Sequence, residues 1–136
     1  GYHGAVGRPF VLGEPADEIR KCMELVMFAQ EETAKRLGPG MTAVEMDRIS
    51  REHMEAAGFG KNFAYSAIHS VGVIEFEAPI LSSKTDLVLS PGMVFSIDIP
   101  LFLNAWGGMR LENGYLVTEN GCERLNPWRK TYIKPV

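Results

Sequence analysis

One change of pattern divides this chain and fixes the class of fold open to it. From Pro15 to Gly58 the apolar side chains recur at helical spacing. From Phe63 to Leu125 they fall in short β-branched and aromatic runs, punctuated by Pro79, Pro91-Gly92, Gly107-Gly108, Gly114 and Gly121. Helices gathered ahead of strands predict an α+β domain. The first helix is expected to open at Pro15, a first-turn position where a missing N–H is harmless. Asp17 and Glu18 suit the positive end of its dipole, and Gly38-Pro39 stops it. Its inward stripe reads Ile19, Met23, Val26 and Ala34. The second helix is expected from Thr42, whose hydroxyl caps it while Glu45 reaches back, to Gly58, with Val44, Ile49 and Met54 facing inward. Gly1 to Phe10 reads as a short strand closed by Gly13. A strand that opens the chain with no element before it leads us to expect that the first half of the fold lies upstream of residue 1.

A chain of 136 residues makes one domain at most, and 46% hydrophobic with 23% charged residues is the balance of a globular protein, not a disordered one. The net charge of −3 comes without a stripe of Lys and Arg, so neither nucleic acid nor a membrane surface is an expected partner. Runs such as Leu25–Ala29 and Val94–Ile97 fall far short of the ~20 residues that span a bilayer. Cys22 and Cys122 stand apart, outside any ligand spacing, and no secretory pattern opens the chain. The expectation is two reduced thiols in a cytoplasmic protein. The tail from Asn126 to Val136 reads as a docking extension.

The candidate chemistry lies where Val94–Pro100 and Gly108–Asn113 are joined by Leu101–Gly107. Folded back about Ala105 as an antiparallel hairpin, residues whose numbers sum to 210 oppose each other, and Asp98 faces Glu112. Opposed residues have Cβ atoms about 4.5–5.5 Å apart, so two like charges there call for a cation, a shared proton or an Arg. A solvated hairpin rim with its register shifted by one or two residues is the competing reading. His69 is the second candidate. One imidazole and two carboxylates suit a divalent cation, although a lone His in an apolar strand also serves as a hydrogen-bonded core residue. His53 is expected to point to water, the methionines at 23, 27, 46 and 54 to fill core, and Trp106 to be exposed at the hairpin tip.

Five segments, taken in order, resemble the C-terminal part of the pita-bread-fold metallohydrolases, the family of methionine aminopeptidase, aminopeptidase P, prolidase and creatinase. They are Tyr2–Pro15 (YHGAVGRPFVLGEP), Leu37–Asp47 (LGPGMTAVEMD), His69–Pro79 (HSVGVIEFEAP), Leu89–Pro100 (LSPGMVFSIDIP) and Gly107–Leu125 (GGMRLENGYLVTENGCERL), which together span nearly the whole chain. The resemblance implies a partial catalytic domain over residues 1–136, with metal-binding side chains at His69, Asp98 and Glu112. It also implies a homodimer, with which Trp106 and the tail from Pro127 are compatible.

The departures are specific. Two further Asp ligands of the family fall at Ala5 and upstream of residue 1, which argues against a dinuclear centre. The family's usual Glu is Asp98 here, and the second His of its peptidases is Phe76. Creatinase shares the Ala at position 5 but has a Glu where Gly7 stands. The implied function is hydrolysis of a C–N bond in the manner of Xaa-Pro dipeptidase or aminopeptidase P, on a small peptide or on a small amide or guanidino compound. His69 and Glu112 would be catalytic, Phe76 and Arg110 would bind substrate, and at most one divalent metal (Mn, Co or Zn) would be held. His3, on the same strand face as Ala5, is a candidate replacement ligand. The alternatives are a metal-free creatinase-like amidinohydrolase and a catalytically inactive binding module.

Overall fold

A computed structural model describes residues 1–127 and the backbone of 132–134. In chain order it contains β1 (Phe10–Leu12), α1 (Asp17–Arg36), α2 (Ala43–Ala56), a short 3-10 turn at Gly60–Asn62, β2 (Ile68–Ser70), β3 (Val94–Leu103), β4 (Gly107–Thr118), β5 (Gly121–Arg124) and β6 (Tyr132–Lys134). Strands β2 to β5 form one antiparallel sheet in the order β2-β3-β4-β5, and β1 pairs in parallel with β6.

The β3–β4 hairpin organises the molecule. Its ladder runs from Val94↔Leu116 through Asp98↔Glu112 to Leu103↔Gly107, the register in which paired numbers sum to 210. Gly107, at φ +104, closes the turn in a conformation that costs other residues strain. Side chains alternate along a strand, so β3 carries two different faces. Phe95, Ile97, Ile99 and Leu101 are wholly buried in the core shared with the helices, while Ser96 and Asp98 look the other way and are buried as well.

Helix α1 lies against the apolar face, where Gln30 ties it to both strands. Its amide donates to the carbonyls of Ile97 (2.9 Å) and Leu111 (3.0 Å), and its oxygen accepts from Asn113 Nδ2. Helix α2 is joined to α1 by the buried Thr33 and Ser50 hydroxyls, 3.2 Å apart, and opens with the expected capping box between Thr42 and Glu45. On the far edge of β4, Gly7 exchanges two backbone hydrogen bonds with Glu112, of 3.2 and 3.1 Å. A Cβ at position 7 would stand 3.1 Å from Glu112 Cβ, so a side chain there would press on the residue that carries the carboxylate.

The structure corrects several expectations. Gly1 to Phe10 is not a strand: apart from the Gly7 bridge it is irregular, and regular pairing begins at Phe10, past Pro9. Pro15 precedes the helix, whose N-cap is Ala16. Ile19 and Ala34 are half-buried, and the inward stripe of α1 runs instead through Cys22, Met23, Val26, Ala29, Gln30 and Thr33. Val44 is 44% exposed, because the buried face of α2 starts one residue earlier, at Ala43, and passes through Met46, Asp47, Ile49, Ser50 and Met54. Residues 71–93, expected to be strand-like, form a long irregular excursion between β2 and β3.

His53 does not simply face water. Its Nε2 is buried, and its ring meets Phe28 edge-on at 5.6 Å. Trp106 sits at the hairpin tip but packs on the core with its Nε1 buried. Cys22 and Cys122 are free thiols. Most of the tail expected to dock lies outside the described residues, and among those described no helix is long and apolar enough to cross a membrane.

Candidate functional site

Three neighbouring strands each deliver one group to the polar face of the sheet. His69 of β2 pairs with Ser96 of β3, two residues from Asp98, and Asp98 pairs with Glu112 of β4. All three are buried, and one ligand atom from each lies within 4.8 Å of the others. His69 Nε2 stands 3.0 Å from Glu112 Oε1, which also accepts from the Ser96 hydroxyl at 3.0 Å. Asp98 Oδ2 accepts from the Tyr65 hydroxyl at 2.9 Å and from Arg110 Nη1 at 3.3 Å. Arg110 Nη2 donates to Glu112 Oε2 at 3.3 Å. Asp98 Oδ1 is buried with no hydrogen-bond partner. A buried carboxylate oxygen in that state is costly unless something cationic meets it.

The hydrogen bonds define what His69 offers. Its Nδ1 lies 3.1 Å from the carbonyl oxygen of Ser70, which can only accept, so Nδ1 carries the proton. A neutral ring then turns the lone pair of Nε2 toward the Glu112 carboxylate. That contact needs either a proton on Nε2 or a cation between the two groups.

The charges follow the same logic. Burial pushes the Asp98 carboxyl up to about 6, helped by the negative charge of Glu112 and opposed by Tyr65 and Arg110. Burial works against a charged His69, yet its hydrogen bond to Glu112, the Ser70 carbonyl and the charges of Glu112 and Glu75 outweigh it and raise the imidazole above its ordinary value. Burial alone would raise Glu112, but hydrogen bonds from His69 and Ser96 hold it below the usual range. The two opposed acids thus differ in environment: Glu112 is stabilised as an anion and Asp98 is strained as one.

An open cavity of about 570 Å³ leads to this group, walled by Ile68, Phe76, Ile80, Leu81 and Phe102, with Tyr65, Glu75 and Arg110 supplying its polar edge. Phe76 has φ +59, a left-handed conformation that strains an aromatic residue by about 1–3 kcal/mol. The loop around it is held in place. Glu77 Oε2 accepts from the backbone N–H groups of Val73 and Ile74, the Ser70 hydroxyl donates to the Glu77 carbonyl, and the Phe76 N–H donates to the Ser70 carbonyl at 3.1 Å. In that conformation the Phe76 ring tilts over His69, with centroids 4.4 Å apart.

Of the residues singled out from sequence, His69, Asp98 and Glu112 converge, and Phe76 and Arg110 line the cavity beside them. His3 does not join the three. Its Nε2 lies 4.0 Å from Glu75, because its backbone is drawn to Gly72 by a 2.7 Å hydrogen bond. Ala5 is buried. Sequence reasoning missed Tyr65, Glu75 and Ser96. Ser96 was readable, lying two residues before Asp98 and so on its face of β3. Tyr65 and Glu75 gave no signal.

The pattern of metallopeptidase family M24 matches residues 1–119. The Xaa-Pro dipeptidase of Pyrococcus furiosus is 38% identical over 124 residues, which is 91% of this chain and 36% of that protein. The Bacillus subtilis peptidase YqhT is 34% identical over 98% of the chain and 38% of its own length. Among solved structures, dipeptidase PepE from Mycobacterium ulcerans superposes with a TM-score of 0.93 at 28% identity, covering 100% of this chain and 37% of that one. The Pyrococcus furiosus prolidase gives 0.89 at 37% identity over 94% and 38%. The α+β fold is of the pita-bread type, and the chain spans less than two-fifths of the length of each of these relatives.

Proposed function

Because this chain belongs to metallopeptidase family M24, we propose that it supplies the metal site of a hydrolase that cleaves the C–N bond of small peptides, Xaa-Pro dipeptides first among them. In this reading His69, Asp98 and Glu112 hold one divalent cation. The observation that carries it is the buried, unpartnered Oδ1 of Asp98, set among ligand atoms within 4.8 Å of one another. The donor set fits: one imidazole lone pair and two carboxylates suit Mn, Co or Zn. A cation bound there supplies Lewis acidity toward a carbonyl oxygen and acidifies water.

The remaining work falls to the chain itself. Glu112, which accepts from the Ser96 hydroxyl and is so held as an anion, accepts the proton of the attacking water and returns it to the leaving nitrogen. The Ser70 carbonyl fixes the tautomer of His69, and Tyr65 with Arg110 orients Asp98. Phe76 and Arg110 contact the substrate from the cavity wall. The apolar lining excludes water around the reacting bond.

The test is hydrolysis of Leu-Pro by the chain supplied with Mn²⁺, Co²⁺ or Zn²⁺, beside Glu112→Gln. Metal-dependent turnover that falls at least about 100-fold in the variant supports the reading. Turnover unchanged in Glu112→Gln contradicts it.

A further inference from the structure

The cavity contains a second acid whose position is unusual. The chain doubles back after β2, with Glu75 bridged to Val71, and the left-handed turn at Phe76 leaves both Glu75 and Phe76 lining one cleft. The hydrogen bonds of Glu77 and Ser70 hold the loop there. A strained conformation held this firmly, at a cavity wall, marks a built feature.

The two residues offer complementary chemistry. The side chain of Glu75 is 39% exposed, and its oxygens lie 4.0 Å from His69 Nε2 and 4.0 Å from His3 Nε2, beyond hydrogen-bond length. Asp98 and Glu112, by contrast, are buried side chains assigned above to the metal. Glu75 is therefore the exposed carboxylate of the cavity, open to a cationic group of the substrate. Beside it, Phe76, Ile80 and Phe102 form an apolar wall.

We propose that Glu75 and Phe76 form the subsite for the first residue of the substrate, Glu75 receiving its free α-ammonium and the Phe76 wall its apolar side chain. The inference rests on the hydrolase reading above and adds to it the side chains that select the first residue. The covalent reach agrees. An α-nitrogen lies about 2.5 Å from its own carbonyl carbon, so its anchor must sit beside the reacting groups. Glu75 does so, 4.0 Å from the imidazole that contacts Glu112 at 3.0 Å. A charge-assisted hydrogen bond to the ammonium would also orient the scissile bond.

The experiment compares Leu-Pro with N-acetyl-Leu-Pro, whose amine is neutral. Calorimetric titration uses the chain held in EDTA, in which turnover is stopped with Glu112 in place, with and without Glu75→Gln. Leu-Pro should bind at least tenfold more tightly than the acetylated peptide, Glu75→Gln should erase that preference, and Glu75→Asp should restore part of it. In the otherwise unaltered chain, Glu75→Gln should raise KM for Leu-Pro at least tenfold, with kcat within threefold and the metal content unchanged. Equal weakening of both peptides, an unchanged preference, or loss of metal in Glu75→Gln overturns the subsite. An intact preference, beside an unaltered Mn²⁺-supplied chain that does not turn over Leu-Pro, overturns the hydrolase reading and sustains the subsite.

Discussion

Asp98 and Glu112 face each other across the β3–β4 ladder with the guanidinium of Arg110 laid against both, 3.3 Å from Asp98 Oδ2 and 3.3 Å from Glu112 Oε2. The arrangement answers the repulsion between opposed acids without satisfying it, since Asp98 Oδ1 is still unpartnered. Arg110 is half exposed, so solvent screens part of its effect.

Arg110→Met should therefore act in opposite directions on the two states. Without metal the two acids lose their counter-charge, and stability should fall by about 1–3 kcal/mol, the screened remainder of a broken buried pair. With metal, the removal of a competing positive charge should tighten Mn²⁺ binding severalfold. Thermal unfolding in EDTA and in Mn²⁺ measures both; an unchanged Tm in EDTA would deny Arg110 this role.

Asp98 sets a pH dependence of its own. The folded, metal-free chain retains the Asp98 proton up to about 6, whereas an unfolded chain releases it near 3.8. Between those values the folded state binds more protons, so this residue's contribution to stability is lost as pH rises through the window. A displacement of that size corresponds to about 3 kcal/mol. Asp98→Asn should stabilise the metal-free chain at about pH 7.5 by about 1–3 kcal/mol, flatten the profile between pH 4 and 6, and abolish Mn²⁺ stabilisation. Urea unfolding across pH measures it; a destabilised variant with an unaltered profile would refute it.

On the opposite face of the same strands, Gln30 positions the site from behind. Gln30→Leu removes donors from the Ile97 and Leu111 carbonyls and strands the amide of Asn113, all in the buried core. Unmade buried hydrogen bonds cost about 1–3 kcal/mol each, partly offset by the apolar replacement, so the expected loss is about 2–4 kcal/mol in chemical denaturation. A loss under 1 kcal/mol would show that α1 does not need this clamp.

The cap of α2 gives a smaller and separable effect. Thr42→Ala deletes both hydroxyl contacts with Glu45 and should reduce stability by about 1 kcal/mol, with Mn²⁺ binding unaffected.

What the sequence disclosed follows from which features are local. The capping box of α2 lies within four residues, and the register about Ala105 within a short turn, so both were legible, as was the opposition of Asp98 and Glu112. The convergence of His69 with them came from resemblance, because nothing local links β2 to β4. The failures have one cause: long-range packing. Val44 and Ile19 were placed inward by spacing alone, whereas the true stripes are set by what α1 and α2 meet. Residues 71–93 carry strand-like side chains but fold around the cavity. Phe76 held in a left-handed conformation brings Glu75 into the cleft, and no propensity argument places an aromatic residue there.

The most direct test of the account is metal content. Elemental analysis of the chain after loading with Mn²⁺, Co²⁺ or Zn²⁺ should give close to one ion per chain, lost in Glu112→Gln and in His69→Ala. No bound ion under any loading, or one that persists in both variants, would contradict the assignment of His69, Asp98 and Glu112 as the metal site.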